Sequence, residues 1–200
     1  MHQAIAIDEL ALPGTLRPKR LLGPNDTARE RDLDLVEQRI QVALRQNRHD
    51  SALVDDCLET ALLSRSLERP RTEVDGLFAR AQRVASKCGT KHQQILSYYE
   101  HAWATLYWFD DLDSFSTLYT SVEALAKDSL NVYDLELLSN LCTSLRGAVA
   151  NDGLDPKDYR IEERLTLLLR WTPIIGQLRG LGKVGLCSTP SLLRPLHDCL

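Results

Sequence analysis

An all-α fold is predicted, with antiparallel helical hairpins stacked as a short right-handed α-solenoid. Three observations predict it. Apolar residues recur at i, i+3, i+4 and i+7 in segment after segment. No segment shows a two-residue alternation that would read as a strand. Helix-start signals fall near residues 28, 51, 73, 91, 112, 133 and 156, with steps of about 18 to 23 residues. Taken in pairs these give a helix–turn–helix cadence of about 39 to 45 residues, the signature of a repeat architecture.

Each helix is justified locally. Thr27 and Glu30 form a capping box, and Leu33, Val36, Ile40, Ala43 and Leu44 share one face after it. Asp50 or Ser51 caps a second helix carrying Val54, Leu58, Ala61 and Leu62, with Pro70 just beyond its end. Thr72 caps a third, with Val74, Leu77, Phe78, Ala81, Val84 and Ala85 inward. Gly89 follows as a residue able to adopt the left-handed conformation that ends a helix.

Thr90 and Gln93 make a second capping box, so the fourth helix starts at Lys91. Asp110 and Asp111 break the apolar run and cap a fifth, which carries Leu112, Phe115, Leu118, Tyr119, Val122 and Leu125. This hairpin, residues 90 to 127, holds eight of the twelve aromatic residues. Tyr98, Tyr99, Trp103, Tyr107, Trp108, Phe109, Phe115 and Tyr119 are expected to form a packed core seam. A sixth helix follows Asn131, with Leu138, Leu141, Cys142, Leu145 and Ala148 inward and Gly153 as its stop. Asp155-Pro156 reads as the start of a seventh, with Ile161, Leu165, Leu168 and Trp171 inward and Pro173 as its end.

The domain organisation follows. Residues 1–25, with Pro13, Gly14, Pro18, Gly23 and Pro24, read as a flexible leader. Residues 26–172 form the helical repeat domain. Residues 173–200, broken by Gly176, Gly180, Gly182, Gly185, Pro190 and Pro195, read as a weakly structured tail.

Composition limits the function classes. A net charge of −4 argues against a general nucleic-acid binder. No apolar stretch approaches the roughly 18 residues of a membrane span, and no secretory signal opens the chain. Five cysteines at irregular spacing suit a reducing, cytoplasmic setting. Charge alternates along the chain. Residues 100 to 136 hold eight carboxylates against Lys127 alone, between two basic stretches.

No catalytic constellation is visible, and no cofactor or metal is expected. Gly180, Gly182 and Gly185 fit G-x-G-x-x-G but lack a preceding strand and a following helix. Cys187, His197 and Cys199 offer three zinc donors without a C-x-x-C pair. The pairs His49-Asp50 and His197-Asp198 read as turn or cap residues, and His101 as a hydrogen-bonded side chain. Asp110, Asp111 and Asp113 fail the calcium-loop pattern. Their local field suits a docking edge for a basic peptide.

The run Tyr98 to Leu125 resembles a tetratricopeptide hairpin. Asp110-Asp111-Leu112-Asp113-Ser114-Phe115 is similar to the turn that opens the family's second helix, and Asn47-Arg48-His49-Asp50-Ser51-Ala52 is a fainter instance. The match is degenerate. Phe115 stands where the family prefers Ala, Asp110 where it has Gly, and its later Pro is missing. The period, near 42, resembles the longer tetratricopeptide-like repeats in helical sensor regions of large bacterial signalling ATPases and transcription regulators, or HEAT-like pairs. The resemblance covers about residues 28 to 150 and implies a binding scaffold.

The expected function is therefore a non-catalytic scaffold binding a peptide or partner domain. Its alternative is a sensory fragment of a larger regulator, with a small-molecule pocket at the aromatic seam. The candidate partner-binding residues are Asp110, Asp111, Asp113, Tyr98, Trp108, Arg164 and Trp171. The apolar end of the last helix, with Arg160, Arg164, Arg170 and Arg179 as its rim, is expected to dock on another subunit or on a further part of a longer chain.

Overall fold

A computed structural model describes residues 23–127, 129 and 131–170. Every regular element among them is helical: α1 (Pro24–Arg45), α2 (Ser51–Ser66), α3 (Arg71–Cys88), α4 (Lys91–Tyr107), α5 (Leu112–Ala126) and α6 (Val132–Asn151), followed by α7 over residues 161–170. Each helix from α1 to α6 packs on the next along the chain as stacked hairpins. Ser51, Lys91 and Val132 open α2, α4 and α6, at intervals of 40 and 41 residues. The leader up to residue 22, Trp171, the expected tail at 173–200 and its Gly180–Gly182–Gly185, Cys187, His197 and Cys199 patterns lie outside the described residues.

The turns share one chemistry. Left-handed residues end α1 at Asn47 (φ 51°), α2 at Glu68 (φ 52°) and α6 at Gly153 (φ 65°). Behind each, an amide reaches back five residues: Arg48 to Ala43, Arg69 to Ser64, and Leu154 to Val149. This is the Schellman closure, which satisfies carbonyls that the helix end would otherwise orphan. Asp110 (φ 49°) stands in the same conformation after α4. A short Asp side chain tolerates that region better than most.

Caps explain the helix starts. Thr90 accepts from Gln93 N at 3.2 Å, and Gln93 accepts from Thr90 N at 3.0 Å. The expected start at Lys91 is found. Asp50, Asp111 and Asn131 each accept from a first-turn amide. Four local expectations are corrected. α1 begins at Pro24, because the Asp26 carboxylate accepts from Gly23 N and the Gly23 carbonyl accepts from Asp26 N, upstream of Thr27. α3 begins at Arg71 behind Pro70, which leaves Thr72 inside its first turn. Gly89 is extended, at φ −84° and ψ 158°. Asp155-Pro156 opens a turn in which Asp155 accepts from Lys157 N, and left-handed Arg160 ends that turn before α7.

The helices form two layers. In one, α4 lies directly against both α2 and α6. Small buried side chains, Ala61 and Ser64 on α2 and Ser97 and Ala104 on α4, permit the close approach. In the other, α1, α3 and α5 make no close backbone contact with one another. Long side chains span that gap instead. Arg80 of α3 reaches Glu37 of α1 at 2.8 Å. Arg71 of α3 reaches Asp111 at the head of α5. Arg164 of α7 reaches Ser116 and Thr120 of α5. Apart from the bridges, each layer's neighbours are held by apolar clusters, and α4 is the wall between two of them. Ile95 and Ala102 join Phe115, Tyr119, Leu138, Leu141 and Leu145 on one side. Ala104 joins Val36, Ile40, Leu53, Val74 and Phe78 on the other.

Candidate partner-binding site

α4 presents a ladder of rings at four-residue spacing. Tyr99 meets Trp103 edge-on at 5.9 Å, and Trp103 stacks on Tyr107 at 4.5 Å. Tyr107 donates to Ser144 of α6 at 3.2 Å. Burial pushes the Tyr99 hydroxyl up, opposed by a hydrogen bond with Asn140. The expected single core seam is thus divided. Phe115 and Tyr119 are fully buried, Tyr98, Tyr99 and Trp103 are half-buried against the same cluster, and Tyr107 and Trp108 are 54% and 42% exposed.

The exposed rings border a groove between two turns, one joining α2 to α3 and the other joining α4 to α5. Arg65, Glu68, Arg69, Pro70, Arg71, Thr72, Tyr107, Trp108 and Phe109 line it, and it encloses about 750 Å³. Local structure places each wall. Arg65 sits in the last turn of α2, and Arg71 opens α3 behind Pro70. Trp108 caps α4, after which the Asp111 amide reaches back to Thr105 at 2.9 Å. The Arg65 guanidinium lies 4.4 Å from the Trp108 ring centre, and that of Arg71 lies 5.4 Å from Phe109. Such stacking orders both partners and suits a flat, weakly hydrated cation.

Each of these arginines has a carboxylate partner that is not in the groove wall. Arg65 meets Glu100 at 3.3 Å, Arg69 meets Glu73 at 3.3 Å, and Arg71 meets Asp75 at 3.3 Å as well as Asp111. The groove therefore shows the guanidiniums of Arg69 and Arg71 against Glu68, while Arg65, 7% exposed, backs the wall from beneath Trp108. Burial raises the Glu100 carboxyl, with Arg65 opposing. Asp111 is held down at about 2 by the Ser114 amide first, then by Arg71 and the Ser114 hydroxyl.

The sequence-predicted residues separate. Asp110 is exposed. Asp111 is committed to its cap and to Arg71, and Asp113 accepts from the Tyr159 hydroxyl at 3.1 Å. Two of the three carboxylates in the acidic turn thus have partners inside the fold. Arg164 is only 3% exposed and lies 4.2 Å over the Tyr119 ring, so it is an internal bridge. Of the six that are described, Trp108 alone lines the groove. Trp171 lies outside the described residues. Sequence reasoning missed Arg65, Arg69 and Arg71, whose one local signal is the Arg-Pro-Arg run at the end of a helix.

Two histidine clusters are structural in form. His101 lies between Asp75 and Gln82, both at 3.1 Å, and stacks on Phe78. Burial lowers its basicity, opposed by Asp75. His92 of α4 meets buried Asp134 of α6 at 2.5 Å, and Ser129 donates to the same carboxylate. Among the described residues no group of three or more His, Cys, Asp or Glu could hold a metal ion, and no helix is long and apolar enough to cross a membrane. Cys57, Cys88 and Cys142 are free thiols. No known protein family, curated protein or solved structure matches this chain.

Proposed function

We propose that the chain is a non-catalytic scaffold that binds a protein or peptide partner, with the Arg65–Arg69–Arg71 groove as its contact. One observation carries this reading. Exposed Tyr107 and Trp108 border a wall of guanidiniums whose partner carboxylates stand outside the groove. Trp, Tyr and Arg are the residue types that most often carry binding energy at protein contacts. The complementary partner is a segment with carboxylates beside an apolar anchor, since it would meet both the cations and the rings. A cytoplasmic setting belongs to the same proposal and draws on the three free thiols.

Selection of peptides from a displayed random library against the full chain tests the reading. The binders are expected to be rich in Asp, Glu and apolar residues. Trp108→Ser and Arg69→Glu should each weaken them about tenfold or more, the usual size of a hot-spot loss. Binders that hold the wild type and both variants equally well would show that the groove is not the contact.

A further inference from the structure

Tyr107 borders a second groove on the other side of α4. Leu106, Tyr107, Asp110, Leu112, Thr143, Ser144, Gly147, Ala148, Asn151 and Asp152 line it, and it encloses about 570 Å³. Its charge is opposite to that of the first. Asp110 and Asp152 stand in its wall without any Lys or Arg. Its floor includes Gly147 and Ala148, and a Cβ on Gly147 would meet nothing within 4 Å. It is an acidic-rimmed socket with room for a ring. Because α4 lies between α2 and α6, the basic groove and the acidic socket share exposed Tyr107 in their walls, with Trp108 on the basic side.

We propose that this edge is a self-complementary docking face whose occupant is a second copy of this chain. The proposal rests on the partner-binding reading above and names the partner. A two-fold contact requires one patch carrying two complementary halves, so that each half meets the other half of its mate. Here the basic edge with Trp108 and Arg69 is one half, and the socket with Asp110 and Asp152 is the other. Rotated onto a second copy, Trp108 enters the mate's socket beside Gly147. Arg69 and Arg71 then face the mate's Asp110 and Asp152. Both aromatic anchors leave water, and both charge pairings are attractive. A peptide in the basic groove would compete with this pairing.

Sedimentation of the full chain from about 1 to 100 μM, with two charge-swapped variants, tests the pairing. Arg69→Glu and Asp152→Lys alter exposed or half-exposed side chains. Asp152→Lys also places a cation at the C-terminal end of α6, a favourable position for the helix dipole. The wild type is expected to dimerise in the micromolar range. Each variant alone should dimerise about tenfold more weakly, because like charges then face each other twice. An equimolar mixture should recover wild-type association. The carboxylate introduced in one variant then meets the ammonium introduced in the other, and the second contact is native. A wild type that stays monomeric at about 100 μM overturns the proposal. So does a dimer that neither variant weakens. Either result leaves the groove reading to the peptide selection, which reports on Trp108 and Arg69 without requiring a dimer.

Discussion

The two layers of the stack solve the same packing problem in different ways. Along α2, α4 and α6, backbones approach closely over Ser64, Ser97 and Ala104, and polar ties lie across short gaps. Gln93 of α4, for example, donates to Ser51 O of α2 at 2.9 Å and to Asp55 at 2.6 Å. Along α1, α3, α5 and α7 the bridging work falls to Arg80, Arg71 and Arg164. Short side chains bring the even-numbered helices close, with Arg65 of α2 still reaching Glu100 of α4, whereas the odd-numbered helices are spanned by arginines across wider gaps. The stack of hairpins is thus held by side-chain length as well as by hydrophobicity. Exposed Tyr107 and Trp108 project from the C-terminal end of α4, the central helix of the tight layer.

The largest effect should come from the cluster between the layers. Phe115→Ala removes a fully buried ring of α5 and should cost about 3–5 kcal/mol. Trp103→Ala, in the half-buried ladder of α4, should cost less, about 2 kcal/mol, because part of the ring area is already in water. Chemical denaturation of both variants ranks them. A Trp103 loss equal to that of Phe115 would return the ladder to the core, as the sequence alone predicts.

Arg65 and Arg164 separate the layers electrostatically. Arg65→Met strands half-buried Glu100 without its cation and should cost about 3 kcal/mol. Arg164→Met strands no carboxylate among its hydrogen-bond partners, which are Ser116 and Thr120. An apolar replacement there should stay within about 1 kcal/mol of wild type. Equal losses in thermal unfolding would erase the distinction between paired and hydroxyl-bound arginines.

Ser97→Leu tests the close approach in the tight layer. Ser97 is fully buried, and the larger side chain would force α4 away from a neighbour. The expected loss is about 1–3 kcal/mol. A neutral result in a melting experiment would show that the layer has slack.

The acid limb of stability carries opposite signs in the two layers. Asp111, which clamps α5 to Arg71, titrates lower folded than unfolded. Its contribution is present above about pH 4 and is lost as pH falls towards 2. Glu100 in the tight layer titrates higher when folded, so its burial penalty is relieved at higher pH, as pH falls through its raised folded value towards the ordinary 4.5. Asp111→Asn should remove about 1–2 kcal/mol at pH 7 and flatten the decline below pH 4. A variant whose acid limb stays as steep as wild type would move that decline to other carboxylates.

The sequence was most legible where structure is local. Thr90 with Gln93, Asp50, Asp111 and Asn131 act within three residues of themselves, and each caps the helix assigned to it. It was least legible where the deciding partner is distant. Arg65 and Trp108 are adjacent only because α2 and α4 pack together. Arg164 resembles any basic rim residue until Tyr119 is beneath it. The aromatic seam was overread for a related reason. α4 faces a cluster on each side, so its apolar residues cover most of its circumference, and periodicity cannot say which rings remain in water. Asp155-Pro156 carries a sound start signal, but left-handed Arg160 interrupts it before a helix can form.

The smallest effect is expected at two glycines of α3, one inside the helix and one just past its end. Gly76 lies within the helix, and a Cβ there would meet nothing within 4 Å. Gly89 lies just past its end, where a Cβ would come within 2.7 Å of the Ala85 carbonyl oxygen. The Gly89 backbone is extended, at φ −84°, so left-handed strain is not the reason a glycine stands there. Close approach is the reason, since backbone crowds the space a side chain would fill. Gly76→Ala should therefore stabilise by about 0.5–1 kcal/mol, through helix propensity and a less disordered unfolded chain. Gly89→Ala should destabilise, because the Ala85 carbonyl belongs to the last turn of α3 and cannot move without loosening it. Denaturant midpoints of the two variants should fall on opposite sides of wild type. If both rose, α3 would have freedom to shift at its C-terminal end. The spacer arginines at positions 71 and 80 would then be holding a mobile helix rather than a fixed one.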